Sequence, residues 1–371
     1  MEIYIITLLI IFSFGFIDLR LNLTVYQKNL MFFFLYLIIV IQIGLRWETG
    51  SDWIPYLENF QNSDEYSTII INALIGYEIG YGTFTFFIKR IVDNYSFFLV
   101  IHALIFYWAI FRVCKKYSPY FLIALMFFYS TNLGMVGANR QLLAITICLW
   151  GLDFVFERQP LKFLAVVAVA SLFHTSAFLF VVYYFLNKNF KLVTVISVLF
   201  FSFVIGKTGL PFLLFSKFGG LFGELAASKT IAYSEGAKDF LAENSLSIFG
   251  LFKRLFFIAI FTFNFSFLTK KLSYYKLLYN GYIIGMAFYF LFASSILILV
   301  NRGSLYFNIM ESLLISCQFL VFKLAIDKSY VLFLLFLVSI VFLFQSIAAY
   351  PELFNPYKGL FYNTNYIREM F

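Results

Sequence analysis

Apolar runs of roughly 15 to 25 residues recur from one end of this 371-residue chain to the other, and they set its fold class before any motif is read. About 20 apolar residues cross the hydrocarbon of a bilayer as a helix. Lipid offers no partner for an open backbone N–H or C=O, so only helices and closed barrels can cross it. A barrel strand needs a polar–apolar alternation that these runs lack. Composition agrees: 62% of the residues are hydrophobic and 12% charged, against about a quarter charged in soluble domains. The chain is therefore expected to be all-α and polytopic.

Spans are expected near 2–17, 30–45, 95–111, 119–136, 139–156, 161–173, 175–186, 192–206, 248–268, 277–300, 303–322 and 329–347, about twelve in all. They form a single integral membrane domain over 1–371, interrupted by polar stretches at 46–94 and 207–247 and followed by a tail, 348–371. Residues 1–17 carry Glu2 in place of a basic leader, with no small-x-small cleavage pattern after them. They are expected to be a retained span and not a signal peptide. Cys114, Cys148 and Cys317 lie in or beside apolar runs without paired spacing, so neither a disulfide framework nor a metal cluster is implied.

The net charge of +8 does not point to nucleic acid once its distribution is followed. With both termini outside, the inner loops gather Arg20, Lys28, Arg112, Lys115, Lys116, Arg158, Lys162, Lys188, Lys191, Lys270, Lys271, Lys276, Lys323 and Lys328, against only Asp18, Glu157 and Asp327. The first outer stretch alone holds Glu48, Asp52, Glu58, Asp64, Glu65, Glu78 and Asp93. This is the positive-inside asymmetry of a membrane protein. Residues 77–92, "YEIGYGTFTFFIKRIV", are apolar enough to span, but a span there would turn Arg112, Lys115 and Lys116 outward. They are expected to form an interfacial or re-entrant helix, with Lys89 and Arg90 directed at headgroups.

Polar residues crowd the outer boundary. "GLRWETGSDWIPYLENF", 44–60, places an arginine, carboxylates, glycine, tryptophan and tyrosine just past an apolar run. Arg46 ends the second span, Asn139 and Arg140 open the fifth, His174 interrupts a long apolar run, and Arg302 stands between two spans. Ionisable groups in spans are costly, and several segments delivering them to one leaflet point to a site. Plainer readings stand beside this one. Arg46 and Arg302 could be snorkelling anchors. Asp52 could N-cap a helix at 53–60 whose Pro55 suits a first turn. His174 could be a satisfied turn histidine, and His102, Lys253 and Arg254 read as packing or anchors. Glu311, nine residues from Arg302, would face the other side of one continuous helix and pair elsewhere.

Arginines present a fixed fork of donors matched to phosphate oxygens, so several at one face suit a lipid-linked phosphate or pyrophosphate. A nearby carboxylate or histidine could take a proton from an attacking hydroxyl. Trp47, Trp53, Tyr56, Tyr77, Tyr81 and Tyr306 offer ring faces on which sugars stack. No phosphate-binding glycine loop, HExxH, GxSxG or dinucleotide turn is present.

"LRWETGSDWIPYLENF" resembles the Arg-x-x-x-Gly-x-Asp-x-x-x-Tyr signature of EpsG-like polysaccharide polymerases, a branch of the Wzy-type O-antigen polymerases. "YEIGYGTF", "NRQLLAITICLW", "LKFLAVVAVASLFHTSAFLFVVYYFL", "NRGSLYFNIME" and "FNPYKGLFYN" continue the similarity in order, leaving 190–250 unmatched. The resemblance implies a membrane glycosyltransferase, GT-C-like, in a bacterial inner membrane. Such an enzyme would join undecaprenyl-diphosphate-linked oligosaccharides, as donor and acceptor, at the periplasmic face. No cofactor or metal is implied, and a chain-length regulator protein is a further expected partner. Matching positions are Arg46, Gly50, Asp52, Tyr56, Glu78, Asn139, Arg140, Gln141, His174 and Arg302. On this reading Arg140 and Arg302, helped by Arg46, hold the pyrophosphate, and Asp52 or His174, then Glu78, is the general base. Tyr56, Asn139, Gln141 and Trp53 contact substrate. Apart from the resemblance, 207–247, with Gly219, Gly220 and Gly223, could be a lid over the groove or a merely solvated loop. An O-antigen ligase or a lipid-linked oligosaccharide flippase is the alternative.

Overall fold

The computed structural model describes residues 1–21, 23–74, 76–219, 248–295, 300, 303–361 and 365–368. Among them there is no β-strand, only an isolated antiparallel bridge between Arg46 and Gly359. Among the described residues four helices are long and apolar enough to cross a membrane: α1 (Glu2–Arg20), α2 (Val25–Gly44), Tyr95–Tyr117 and Ala325–Ser346. A fifth arises if Gly250–Phe263 and Phe265–Lys271, bent by 58° at Asn264, form one broken span. Shorter apolar helices at Phe121–Met135, Pro160–Ser171, Thr175–Leu186 and Leu192–Gly206 fill out a multi-pass membrane protein. The expected spans at 139–156 and 192–206 coincide with helices Asn139–Phe156 and Leu192–Gly206. The expected span at 248–268 is broken, and 175–186 is a 3-10 helix, Thr175–Val182, running into a short α-helix, Tyr183–Leu186. Most of the expected loop at 207–247 lies outside the described residues, as does Arg302.

Contacts divide the chain into two compact units. The first comprises Met1–Leu152, Leu164–Phe178 and Ile315–Phe371. Here the polar stretch 46–94 folds into three short helices, α3 (Trp53–Gln61), α4 (Tyr66–Leu74) and α5 (Ile79–Ile91), before α6 (Tyr95–Tyr117). The sequence dictates their packing. In α3 the buried side chains are Trp53, Tyr56 and Phe60, one helical face at i, i+3 and i+7. In α5 the buried residues are Tyr81, Gly82, Thr85 and Lys89. Both faces close on Tyr95, Phe98 and Leu99 of α6 and on Leu143. Aromatic rings do most of this packing; Tyr95 and Phe98, for instance, stack with centroids 5.8 Å apart. Capping fixes where the longer helices begin. Asn94 Oδ1 accepts the Phe97 N–H at 3.0 Å to start α6. Thr24 and Gln27 exchange bonds in a capping box that starts α2.

Lys89 is buried and Arg90 exposed, and each bonds within the first unit. Lys89 donates to the Gln61 carbonyl at 2.6 Å and pairs with Asp64 at 2.7 Å. Arg90 donates to the Asp64 carbonyl. The turn between α3 and α4 leaves carbonyls uncovered at the end of α5, and these two bases satisfy them.

The second unit comprises Asp153–Phe163 and Leu179–Leu314. Its core is Tyr275–Phe292, whose Asn280 amide bonds the Leu186 and Lys188 carbonyls at 2.6 and 2.8 Å. Tyr183 stacks on Phe307, centroids 5.3 Å apart.

Candidate functional site

The first unit carries the site, and its foundation is a turn of unusual backbone. Beyond α2 the chain passes through Glu48 and Gly50 at φ values of 45° and 96°. There it lies directly against a second turn that contains Gly137, at φ 115°, and leads into α7 (Asn139–Phe156). The C-terminal segment straps the first turn from the other side. Lys358 pairs with the Glu48 carboxylate, and its carbonyl accepts the Trp47 N–H at 3.0 Å. Arg368 donates to the backbone oxygens of Trp47, Glu48 and Pro356 and to Thr49 Oγ1. Sequence reasoning missed Lys358 and Arg368. The available signal was the presence of bases in a tail expected to lie outside, where charge asymmetry would leave few.

Arg46 is only 2% exposed. It donates to the Ile43 carbonyl at 2.7 Å and to Asn139 Oδ1 at 3.0 Å, so it tethers the start of α7 to the end of α2. Burial lowers the pKa of its guanidinium. Asn139 is equally enclosed, and its carbonyl accepts a bond from His102 Nε2 at 2.9 Å. His102, expected to pack alone, thus joins this tether. Arg46→Lys replaces a fork of fixed geometry by a point charge that cannot meet both oxygens as the guanidinium does. We expect a loss of about 2–3 kcal/mol, read as a lower thermal unfolding midpoint in detergent; an unchanged midpoint would show that the tether bears no load.

Arg140, one residue on, faces a different set. Its Nη1 lies 2.5 Å from Glu78 Oε2, and its Nε donates to the Tyr56 hydroxyl at 3.4 Å. The guanidinium sits over the Tyr77 ring, 4.4 Å from the centroid. Glu78 occupies the N-cap position of α5 without a side-chain cap bond, which leaves its carboxylate for Arg140. Desolvation raises the Tyr56 and Tyr77 hydroxyls above their ordinary range, while Arg140 opposes the shift at both. Asp52 also acts on Tyr56, raising it further, so the two opposite charges bear on one hydroxyl.

Asp52 stands at the N-cap position of α3, but its side chain makes no cap bond. Ser51 Oγ donates to Asp52 Oδ1 at 3.4 Å, and the carboxylate is half-buried. Trp53 is buried against Tyr95 and Trp47, whereas Trp47 is exposed. His174 reaches the same neighbourhood: the next residue, Thr175, gives its N–H to Glu78 Oε1 at 3.4 Å. Gln141 Nε2 donates to Ser176 Oγ at 3.3 Å. The fold therefore brings Asp52, Tyr56, Glu78, Arg140, Gln141 and His174 to one side of the first unit, with Arg46, Trp53 and Asn139 behind them. Tyr77 was foreseen only as a sugar platform, and Ser176 was missed, although each lies within a quoted block, "YEIGYGTF" and "LKFLAVVAVASLFHTSAFLFVVYYFL".

In the second unit, Glu311 pairs with Lys253 of another helix at 3.5 Å. Lys253 had read as a simple anchor; an apolar bundle instead supplies it with a counter-charge. Arg254 stacks over the Tyr289 ring at 3.6 Å.

Taken together, these features define a helical, multi-pass membrane protein with an arginine–carboxylate–aromatic cluster in its first unit. The family model described as the EpsG family matches residues 29–359, and the chain belongs to that family. It is accordingly a polysaccharide-polymerase-like membrane protein of the glycosyltransferase kind. No curated protein and no solved structure matches the chain.

Proposed function

We propose that the protein polymerises oligosaccharide repeat units carried on undecaprenyl diphosphate, forming an O-antigen or a related surface polysaccharide. In this reading the chain has about twelve spans in a GT-C-like arrangement, lies in a bacterial inner membrane and works at the periplasmic face. A chain-length regulator is its partner. The growing glycan on its lipid diphosphate is the donor. A hydroxyl at the non-reducing end of a new lipid-linked unit attacks the donor's anomeric carbon, and undecaprenyl diphosphate leaves.

The observation that carries this reading is Arg140, a cation held among Glu78, Tyr56 and Tyr77 at the side where the first outer stretch folds. Such a cation can meet the charge that develops on a departing diphosphate. Arg302 is proposed as a second diphosphate contact. Arg46, enclosed and engaged with Ile43 and Asn139, supports the site from behind and keeps Arg140 in place. Asn139 serves the same tether, while Gln141, Tyr56 and Trp53 shape the wall beside the sugar and exposed Trp47 offers its ring face. Asp52, half-buried and without a cap bond, is the proposed base, with Glu78 available to an acceptor once an anion engages Arg140.

The reading is tested by reconstituting the purified protein in vesicles that contain lipid A and one kind of lipid-linked repeat unit. A ladder of polymer supports it; glycan transferred only to lipid A indicates a ligase, and transbilayer movement alone a flippase. Asp52→Asn is expected to reduce ladder formation by about 10²–10⁴-fold, the usual contribution of a general base, with an unchanged unfolding midpoint. A full ladder from Asp52→Asn would remove Asp52 from the role.

A further inference from the structure

We infer that His174 carries its proton on Nε2 and meets substrate as a hydrogen-bond donor, not as the base, and that Ser176 and Gln141 are the positioning residues that set this state. The first step is local. His174 stands at the head of the 3-10 helix Thr175–Val182, where N–H groups lack partners within the helix. Its carbonyl accepts the Ala177 N–H at 3.0 Å, and its ring caps the same turn: the Ser176 N–H donates to His174 Nδ1 at 3.2 Å. A backbone amide can only donate. Nδ1 must therefore present a lone pair, and the one proton of a neutral imidazole is left on Nε2. Rotating the ring by half a turn would put a carbon against that N–H and forfeit the cap.

A second chain of bonds runs in the same direction. Gln141 Nε2 donates to Ser176 Oγ at 3.3 Å, and Ser176 Oγ lies 2.6 Å from His174 Nδ1. With its oxygen accepting from the amide, the hydroxyl turns its hydrogen toward the ring. Two donors thus converge on Nδ1, one from the backbone and one from the side chain of the same serine. Gln141 is buried and belongs to α7, which also carries Arg140, so the ring is indexed to the cation beside it.

A ring in this state has no lone pair to offer an incoming hydroxyl. It has one N–H to give, and its natural acceptor in this neighbourhood is an oxygen that gains negative charge. Resting on the polymerase reading, that oxygen is a non-bridging phosphate oxygen of the departing lipid diphosphate. Donation to such an oxygen is stronger in the transition state than in the ground state.

The chain has two histidines, so ring ¹⁵N spectra of the full-length protein labelled with ¹⁵N-histidine contain two spin systems. His174→Gln removes one system and assigns both. The expected result for His174 is an unprotonated Nδ1 and a protonated Nε2 at neutral pH. Ser176→Ala deletes the hydroxyl bond and keeps the backbone one, so it should move the Nδ1 resonance without exchanging the tautomer. A protonated Nδ1 in the wild type would overturn the inference. Activity gives a separate reading. Glutamine keeps a donor but cannot take a proton, so His174→Gln should retain polymer formation within about tenfold while His174→Ala loses about 10²–10³-fold, the cost of one missing oxyanion donor. Glutamine as inactive as alanine, in a variant with a wild-type unfolding midpoint, also overturns it. A wild-type protein that makes no ladder would sink the polymerase reading, and the ring spectra would still decide where the proton lies.

Discussion

Glu78→Gln is expected to destabilise the protein more than removing Glu78 and Arg140 together. The two side chains are largely enclosed, 18% and 9% exposed for Arg140 and Glu78, and lie 2.5 Å apart. Taking one partner from such a pair leaves a desolvated charge without compensation, at about 3–5 kcal/mol. The Tyr77 and Tyr56 rings near the guanidinium offset part of that, on the order of 1–2 kcal/mol for a desolvated cation over an aromatic face. A net loss of about 2–3 kcal/mol follows for Glu78→Gln. In Glu78→Gln with Arg140→Met the stranded charge is gone and apolar contact with Tyr56 and Tyr77 remains, so most of the stability should return. Thermal unfolding of the four proteins in detergent closes the cycle, and a coupling energy near zero would show that water screens the pair. Polymer formation should separate from stability: the stable double variant lacks Arg140 and is expected to be as inactive as Arg140→Met alone.

The helical skeleton was legible because lipid enforces it. An apolar run must satisfy its own backbone, so its limits in the sequence become helix limits, as at 139–156 and 192–206. Where that rule relaxes, legibility fails. Asn264 breaks a run whose hydropathy continues across it, and Thr175–Val182, just after His174, tightens to a 3-10 helix within a stretch apolar enough for a span. Residues 66–74 form a helix, α4, that the polar surroundings of 46–94 gave little reason to expect.

The candidate site was legible as a set of residue types at one boundary, and less so as a set of partners. Arg46 and Arg140 look alike in sequence, each at one edge of an apolar run, Arg46 after it and Arg140 before it. One is buried and spends its donors on Ile43 and Asn139; the other is offered to Glu78 and two tyrosines. The difference lies in the turn beside each, the one at Gly50 just after Arg46 and the one at Gly137 just before Arg140, a property of backbone angles that no periodicity reports. Lys358 and Arg368 escaped for a related reason. They act across more than 300 positions of chain on Glu48, through contacts without any spacing rule.

Gly50→Ala is expected to have the second large effect, and it tests whether those two turns position the site. Gly50 has φ 96°, where a side chain is strained whatever the space around it, at about 1–3 kcal/mol. Space is also absent: a Cβ there would stand 2.6 Å from the Val136 carbonyl oxygen and 2.8 Å from Gly137 Cα. Neither is the movable end of a side chain, so the two backbones must separate. Arg46 and Asp52 ride on one of them, and Asn139 and Arg140 on the other. A displacement of about 1 Å between catalytic groups is enough to lose about 10²-fold in rate. Gly50→Ala should therefore lower the unfolding midpoint and cut polymer formation by about 10²-fold. Gly137→Ala, at φ 115° with a Cβ 2.9 Å from Gly50 Cα, should do the same. Because the two substitutions push the same pair of strands of backbone apart, the double variant should lose less than the sum of the singles. Gly209 is the control, since a Cβ there meets nothing within 4 Å; Gly209→Ala should stay within about 0.5 kcal/mol of the parent. Wild-type ladders from Gly50→Ala would mean that the close approach of these turns is incidental to the chemistry; a loss confined to Gly50→Ala and Gly137→Ala would place the reacting groups on the two segments that these glycines hold together.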